Sequence, residues 1–331
     1  MDLNIIRNDW SIKEIETIYH QPLLELIYQA ASAHRAWHQA SAVQVCTLLS
    51  IKTGGCPEDC AYCGQAARYH TNVKVKSLMD KDEVVACAAR AKAAGSSRFC
   101  MAAAWREVRD NKDFDRVLDM VKGVNSLGLE VCCTLGMLTQ DQADRLQEAG
   151  LYAYNHNLDS SEQYYSEVIK TRSYHDRLDT LSHVRKAGIS VCCGGIIGLG
   201  ETHHDRIGML HTLSNMPEHP ESVPINALAR VAGTPLADLP KIDIWEMVRM
   251  IATTRIIMPK AMVRLSAGRS EMTTIEQAWC FMAGANSIFT SESEELLVTP
   301  NPKLEEDKQM FALLGLTPLV PNEESLVSES K

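Results

Sequence analysis

Eleven cysteines stand in a chain of 331 residues. Three of them, Cys56, Cys60 and Cys63, fall in the segment GGCPEDCAYCGQ with a C-x₃-C-x₂-C spacing. Thiolates suit iron–sulfur clusters, so three in one short loop can hold three corners of a [4Fe–4S] cube and leave the fourth iron without a protein ligand. The competing structural zinc site wants four ligands, and nearby His70 lacks a zinc-ligand spacing. A second set lies on β-rich runs: Cys100 in RFCMA, Cys132 in EVCCT and Cys192 in SVCCG. One such cysteine is an ordinary buried side chain. One on each of three runs points to a second metal site, where three thiolates and an unusual fourth ligand hold a [2Fe–2S] cluster. Arg264, in MVRLSA, needs an anionic partner if it is buried, and a cluster of thiolates and sulfides supplies one. Cys46, Cys87 and Cys280 read as buried side chains.

These residues need elements to position them. Helix-period segments end at a glycine and a β-rich run follows, as in AKAAG-SSRFCMAAA, NSLG-LEVCCTLG, LQEAG-LYAYNHNLD and VRKAG-ISVCCGGIIG. Gly95, Gly128, Gly150 and Gly188 sit where helix C-caps belong. Thr139 with Gln142, and Thr273 with Glu276, have the spacing of capping boxes, and Pro259 closes the helix before it. The strand candidates are VQVCTLLSI, RFCMAAA, EVCCTL, AYNHNL, SVCCGGIIG, VPINALA, MVRLSA and NSIFT, eight runs alternating with helices. This predicts an α/β fold, a (β/α)₈ TIM-type barrel over residues 41–315. Residues 1–40 form an N-terminal helical extension covering one end of the barrel, and residues 316–331 form a flexible tail. An open doubly wound sheet would carry a G-x-G-x-x-G turn after the first strand, and none is present. Barrel side chains alternate, so Cys132 and Cys192 inward would put Cys133 and Cys193 outward; spacing alone allows the opposite parity.

Composition removes other classes. A net charge of −9 without a Lys/Arg block excludes a nucleic-acid footprint. No apolar run reaches membrane-span length, and MDLNIIRNDWSIKEIE carries no signal or transit pattern. The expected location is the cytoplasm, with no membrane partner, where thiols serve metals rather than disulfides.

The C-x₃-C-x₂-C spacing, with aromatic Tyr62 before the third cysteine, resembles the radical S-adenosylmethionine superfamily. From about residue 40 to 315 the chain resembles the biotin synthase family, through LLSIKTGGCPEDCAYCGQ, KAAGSSRFCMAAAW, YNHNLD, GGIIGLGE, ESVPINALARVAGTPLAD, VRLSAGR, CFMAGANSIF and TPNP. The resemblance implies that Cys56, Cys60 and Cys63 bind a [4Fe–4S] cluster. It implies that Cys100, Cys132, Cys192 and Arg264 bind a [2Fe–2S] cluster, the family's sulfur donor. Asn157 and Asp159 would contact S-adenosylmethionine, with Asn157 also near dethiobiotin. Arg177 would bind the methionyl carboxylate, Asn226 the substrate's ureido group, and Ile196 in the pattern from Gly194 to Glu201 would give an apolar face to adenine, whose close approach the glycines permit. The implied reaction converts dethiobiotin to biotin: a 5′-deoxyadenosyl radical removes hydrogen, the carbon radical takes a sulfide, and a second cycle closes the ring. The chemistry is then borne by cofactors, with no acid–base catalytic residue. Flavodoxin or ferredoxin would supply electrons to a homodimer.

Local alternatives accompany these roles. Arg177 and Asp159 also read as ordinary surface ion-pair residues, Asn226 as a backbone cap, Glu201 as a structural residue near Thr202, and His156 as an outward packing residue. The chain departs from the pattern at Gly64, at the extra Cys133 and Cys193, which could mis-ligate iron, and at LLVTPNP, with the single Thr299. It has no G-G-E after the second strand. Rival functions are another radical enzyme without a sulfur source, a non-catalytic iron–sulfur sensor or carrier, and a zinc-stabilised binding protein.

Overall fold

The computed structural model describes residues 5–290 and 304–319. The strands are β1 (Ala42–Lys52), β2 (Arg98–Ala103), β3 (Glu130–Thr134), β4 (Ala153–Asn155), β5 (Ser190–Cys192), β6 (Gly195–Ile197), β7 (Ser222–Ala227), β8 (Met262–Leu265) and β9 (Ser287–Thr290). All pair in parallel, and β1 pairs with both β2 and β9, so the sheet closes. That closure excludes the open doubly wound sheet. The helices between the strands form the outer layer: α3 (Lys81–Ala93), α4 (Lys112–Asn125), α5 (Gln140–Glu148), α6 (Glu162–Val168), α7 (Tyr174–Lys186), α8 (His203–Ser214), α9 (Ile244–Ile257) and α10 (Thr274–Met282). The capping boxes at Thr139 and Thr273 form, and Gly95, Gly128, Gly150 and Gly188 all take positive φ after their helices. Helix α9 ends two residues before Pro259.

The fifth stave departs from expectation. SVCCGGIIG predicts one strand, but it forms two, β5 against β4 and β7, then β6 against β7. A Cβ on Gly194 would lie 2.0 Å from the Pro224 carbonyl oxygen, and one on Gly195 would lie 2.1 Å from Met209 Sδ. The glycines therefore let neighbouring strands and helix α8 close in, and the side of Gly198 is also occupied, by Ile242 and Leu228. Protein atoms fill the space beside these glycines. The Gly194 carbonyl in the break accepts from the amides of Leu158 and Asp159, which steers the chain leaving β4 across the barrel mouth.

The first helices pack on the outer layer. Helix α1 (Ile12–Tyr19) packs on α8 and α9, and α2 (Leu23–Trp37) packs on α9 and α10. They flank the barrel, and the lead-in at Ile6 and Asn8 lines the cavity at the N-terminal rim of the strands. After helix α11 (Leu304–Leu314), residues Thr317–Pro318 form β10, which pairs with Ala42 and Val43 of β1. The start of the expected flexible tail is thus held on the barrel. Thr299 and residues 320–331 lie outside the described residues.

Two apolar cores result. A large one fills the space between strands and helices, and a small one inside the barrel holds Cys46, Cys100, Cys132, Ala153 and Phe289. Helix α11 is fixed by a buried ion pair: Arg269 donates to both carboxylate oxygens of Asp307, at 2.5 and 2.8 Å, and to the Phe289 carbonyl at 2.6 Å. Removing one partner of such a pair strands the other charge. Asp307→Ala should lower the unfolding free energy by about 3–5 kcal/mol in chemical denaturation; a loss under about 1 kcal/mol, the size of a surface pair, would show that α11 is not held this way.

Candidate functional site

The loop after β1 carries Cys56, Cys60 and Cys63 on the C-terminal face of the barrel, where TIM-barrel sites form. Cys60 is buried, and Cys56 and Cys63 are half-buried. The acidic pair inside the motif anchors the loop. Asp59 accepts from the amides of Lys170 and Thr171 at 2.9 and 3.1 Å, and Glu58 accepts from the Thr171 hydroxyl. The Ala61 amide adds a bond to the Val168 carbonyl. Arg172, on the same facing segment, reaches Cys60 Sγ at 3.9 Å. Burial pushes the thiol of Cys60 up to about 12 and that of Cys63 to about 11, and raises that of Cys56. Sequence reasoning missed Glu58, Asp59 and Arg172, because nothing in PEDC or TRS signals contact between segments so far apart in the chain.

Tyr62, Asp159 and Arg177 come together beside this loop. The Tyr62 hydroxyl donates to Asp159 Oδ2 at 2.8 Å, Arg177 Nη2 donates to the same oxygen, and Arg177 Nε donates to Tyr165 at 2.9 Å. Asp159 and Arg177 are both buried. Among the described residues Asp159 is the one non-glycine with positive φ, 67°, a conformation that costs energy and collects at functional sites. Ile196 pairs in register with Asn226. Asn157 accepts from the Gly194 amide at 3.1 Å, and Asn226 bridges the Gly195 carbonyl and the Ala267 amide at 3.0 Å each. Asn155, the first of the two asparagines that flank His156, shares the inward parity of Ala153 and Asn157. Glu201 accepts from the Gly198 and Leu199 amides and from Arg206, so it braces the loop after β6. His156 is buried on the outward parity, beside Tyr154.

Deeper in the barrel the cysteine parity resolves. Cys100 and Cys132 belong to the interior core, whereas Cys133 and Cys193 lie in the layer between strands and helices. Arg264 is fully buried and donates to Ser287 Oγ at 2.9 Å, Gln44 Oε1 at 3.1 Å, Cys46 Sγ at 3.4 Å and Cys192 Sγ at 3.6 Å. No carboxylate among the described residues pairs with it. Burial alone would lower its pKa, but the thiols of Cys46, Cys192 and Cys100 outweigh burial and raise it. Cys100 shares hydrogen bonds with Cys132 and Cys46, which raises its own pKa; burial opposes ionisation of Cys46, but the bond from Cys100 and the field of Arg264 lower it. Cys46 thus joins the interior set, which the sequence, read as a lone apolar-strand cysteine, did not reveal.

Among the described residues no three His, Cys, Asp or Glu side chains converge on a point that one metal ion would occupy. Thiols supplied by neighbouring strands around an arginine instead fit a polynuclear cluster, whose terminal ligands are divided among its irons. A cavity of about 640 Å³ lies at the opposite end of the barrel, lined by Gln44, Arg98, Glu130 and Tyr152 among others. The Arg98–Glu130 ion pair, at 2.8 Å, forms part of its wall. Among the described residues no helix is long and apolar enough to cross a membrane.

Comparison with known proteins agrees with this geometry. Residues 50–213 match the radical SAM superfamily, and residues 224–317 match the biotin and thiamin synthesis associated domain. The chain is 67% identical over 313 residues to biotin synthase of Cytophaga hutchinsonii, covering 95% of this chain and 92% of that one. It is 60% identical to biotin synthase of Nostoc punctiforme, covering 94% and 93%, and 59% identical to the mitochondrial biotin synthase of Arabidopsis thaliana, covering 98% and 86%. Among solved structures, methylornithine synthase superposes with a TM-score of 0.81 at 17% identity, covering 96% of both chains. The FeFe-hydrogenase maturase of Carboxydothermus hydrogenoformans gives 0.79 at 16%, covering 93% of this chain and 76% of that one; both likenesses speak to the fold alone. At such identity over almost its full length, the chain belongs to the biotin synthase family, radical S-adenosylmethionine enzymes that convert dethiobiotin to biotin with iron–sulfur clusters.

Proposed function

We propose that the two thiol sets divide the work of a biotin synthase between the mouth and the interior of one barrel. Cys56, Cys60 and Cys63 hold the [4Fe–4S] cluster, and Cys100, Cys132, Cys192 and Arg264 hold the [2Fe–2S] cluster below it. The observation that carries this reading is the charge of Arg264, fully buried among thiols and lacking a carboxylate partner. A buried cation without an anion is strongly unfavourable, and a thiolate–sulfide cluster is an anion of the right softness. Bound there, the clusters supply the electron that cleaves S-adenosylmethionine to a carbon radical and the sulfur that enters the substrate.

The protein's own residues position the reactants. Asp159 has Oδ2 committed to Tyr62 and Arg177, which leaves Oδ1 for ribose hydroxyls. Arg177 retains Nη1 for the methionyl carboxylate, and Ile196 offers an apolar edge to adenine. Asn157 keeps both N–H groups beyond its bond to Gly194, and Asn226 keeps one N–H and one lone pair, enough to bind a ureido ring. Walls of packed strands and helices exclude water and hold the reacting atoms in line. Flavodoxin or ferredoxin as electron donor and a homodimer as working unit rest on the family resemblance. Cytoplasmic residence fits eleven unpaired thiols.

Anaerobic iron, sulfide and zinc analysis with Mössbauer spectra, wild type beside Cys132→Ala, tests the division. The wild type should carry both cluster types, and the variant should keep the [4Fe–4S] signal, cleave S-adenosylmethionine and form no biotin. A single [4Fe–4S] signal in fully reconstituted wild type would sink the sulfur-donor assignment. The loop thiols give a second check, because their raised pKa values keep them protonated near neutrality. In metal-free protein, alkylation of Cys60 and Cys63 should accelerate about tenfold per pH unit from about pH 7 to pH 10. A rate already level at neutral pH would mean that these thiols are ionised before any iron arrives.

A further inference from the structure

The interior site contains a fourth thiol that no role above uses. Cys46 on β1 is fully buried and shares the inner core with Cys100 and Cys132. The guanidinium of Arg264 stands between two sulfurs, with Nη2 on Cys46 at 3.4 Å and Nη1 on Cys192 at 3.6 Å. Cys100 hydrogen-bonds both Cys46 and Cys132, so four thiols and one guanidinium form a single connected set. Cys280 shows the contrast: also fully buried, it lies in the apolar layer outside the strands.

We propose that Cys46 is an alternative fourth ligand of the interior [2Fe–2S] cluster, exchanging with Arg264. The proposal rests on the assignment of Cys100, Cys132 and Cys192 to that cluster. The exchange is balanced in protons and involves no electron. Arg264 binds iron through a neutral guanidine nitrogen. When Cys46 replaces it, the Fe–N bond breaks and an Fe–S bond forms. The proton leaving Cys46 Sγ passes to the freed nitrogen, along the contact already made by Nη2. Thiolate is the softer donor and the commoner ligand of such clusters. The guanidinium that leaves stays as a counter-ion, held by Ser287 and Gln44. The site therefore has two coordination states, one with four thiolates and one with three thiolates and a guanidine.

The test compares wild type, Arg264→Met, Cys46→Ala and the double variant, each reconstituted anaerobically with iron and sulfide. Iron per chain, Mössbauer spectra and resonance Raman Fe–S stretches are read without turnover, and the loop cluster's signal with circular dichroism reports folding. Arg264→Met should retain the [2Fe–2S] cluster at wild-type content with a four-thiolate Raman pattern. Adding Cys46→Ala should cut that content at least about tenfold. If Arg264→Met fails to fold, Arg264→Lys takes its place in the series. The proposal is overturned if the folded Arg264 variant loses the interior cluster, or if the double variant keeps it with an unchanged spectrum. A wild type without any [2Fe–2S] signal overturns the parent assignment, and this proposal with it, and is told apart by that protein alone.

Discussion

A guanidinium without a carboxylate, enclosed by a parallel barrel, is the constraint to which the interior answers. Four of the buried arginines carry their charge against an acid: Arg98 on Glu130, Arg177 on Asp159, Arg206 on Glu201 and Arg269 on Asp307. Arg255 faces backbone carbonyls, and burial lowers its pKa to about 9. Arg264 alone among these six donates hydrogen bonds to sulfur, and its pKa rises. Desolvating a cation this completely is tolerable only if anionic charge lies beside it, and thiols become that anion when they lose protons or bind metal. The same residues therefore meet a folding constraint and form the metal site proposed above.

The mouth of the barrel depends on a second local cost. Asp159 holds a left-handed backbone, and its strain is offset by bonds that converge on it from Tyr62, Arg177 and the backbone of the broken stave. Gly194 makes that break possible, since any side chain there would collide with the Pro224 carbonyl. Tyr62 belongs to the cysteine loop, so its bond to Asp159 couples the place of the loop cluster to the carboxylate proposed to grip S-adenosylmethionine.

Much of the fold was legible because barrel units announce themselves locally. Capped helices ending at Gly95, Gly128, Gly150 and Gly188 and the β-rich runs after them use short-range chemistry that a linear reading detects. The closed barrel follows from the eight alternating units, but the split of the fifth stave and the placement of α1 and α2 depend on packing between distant segments, which no local pattern encodes. The site divides the same way. The loop cysteines were legible from spacing. Arg172, Glu58 and Asp59 were not, because their partners lie more than a hundred residues away.

The doubled cysteines show how closure turns an ambiguous sequence into an unambiguous site. CysCys at 132–133 and 192–193 offers a thiol to either face of its strand, and a one-residue shift of register would exchange them. The register is fixed by pairs such as Cys100 with Cys132 and Asn155 with Cys192, and by apolar packing of Cys133 and Cys193 beneath the helices. Burial keeps the outer thiols protonated, raising that of Cys133 well above its ordinary value. The outer thiols are thus held protonated in the apolar layer, whereas inside the barrel, despite burial, the thiol pKa values of Cys46 and Cys132 are lowered by their bonds with Cys100 and by the fields of Arg264 and Arg98. Selection between chemically identical neighbours is made by strand parity and by buried positive charge, not by the spacing of the cysteines themselves.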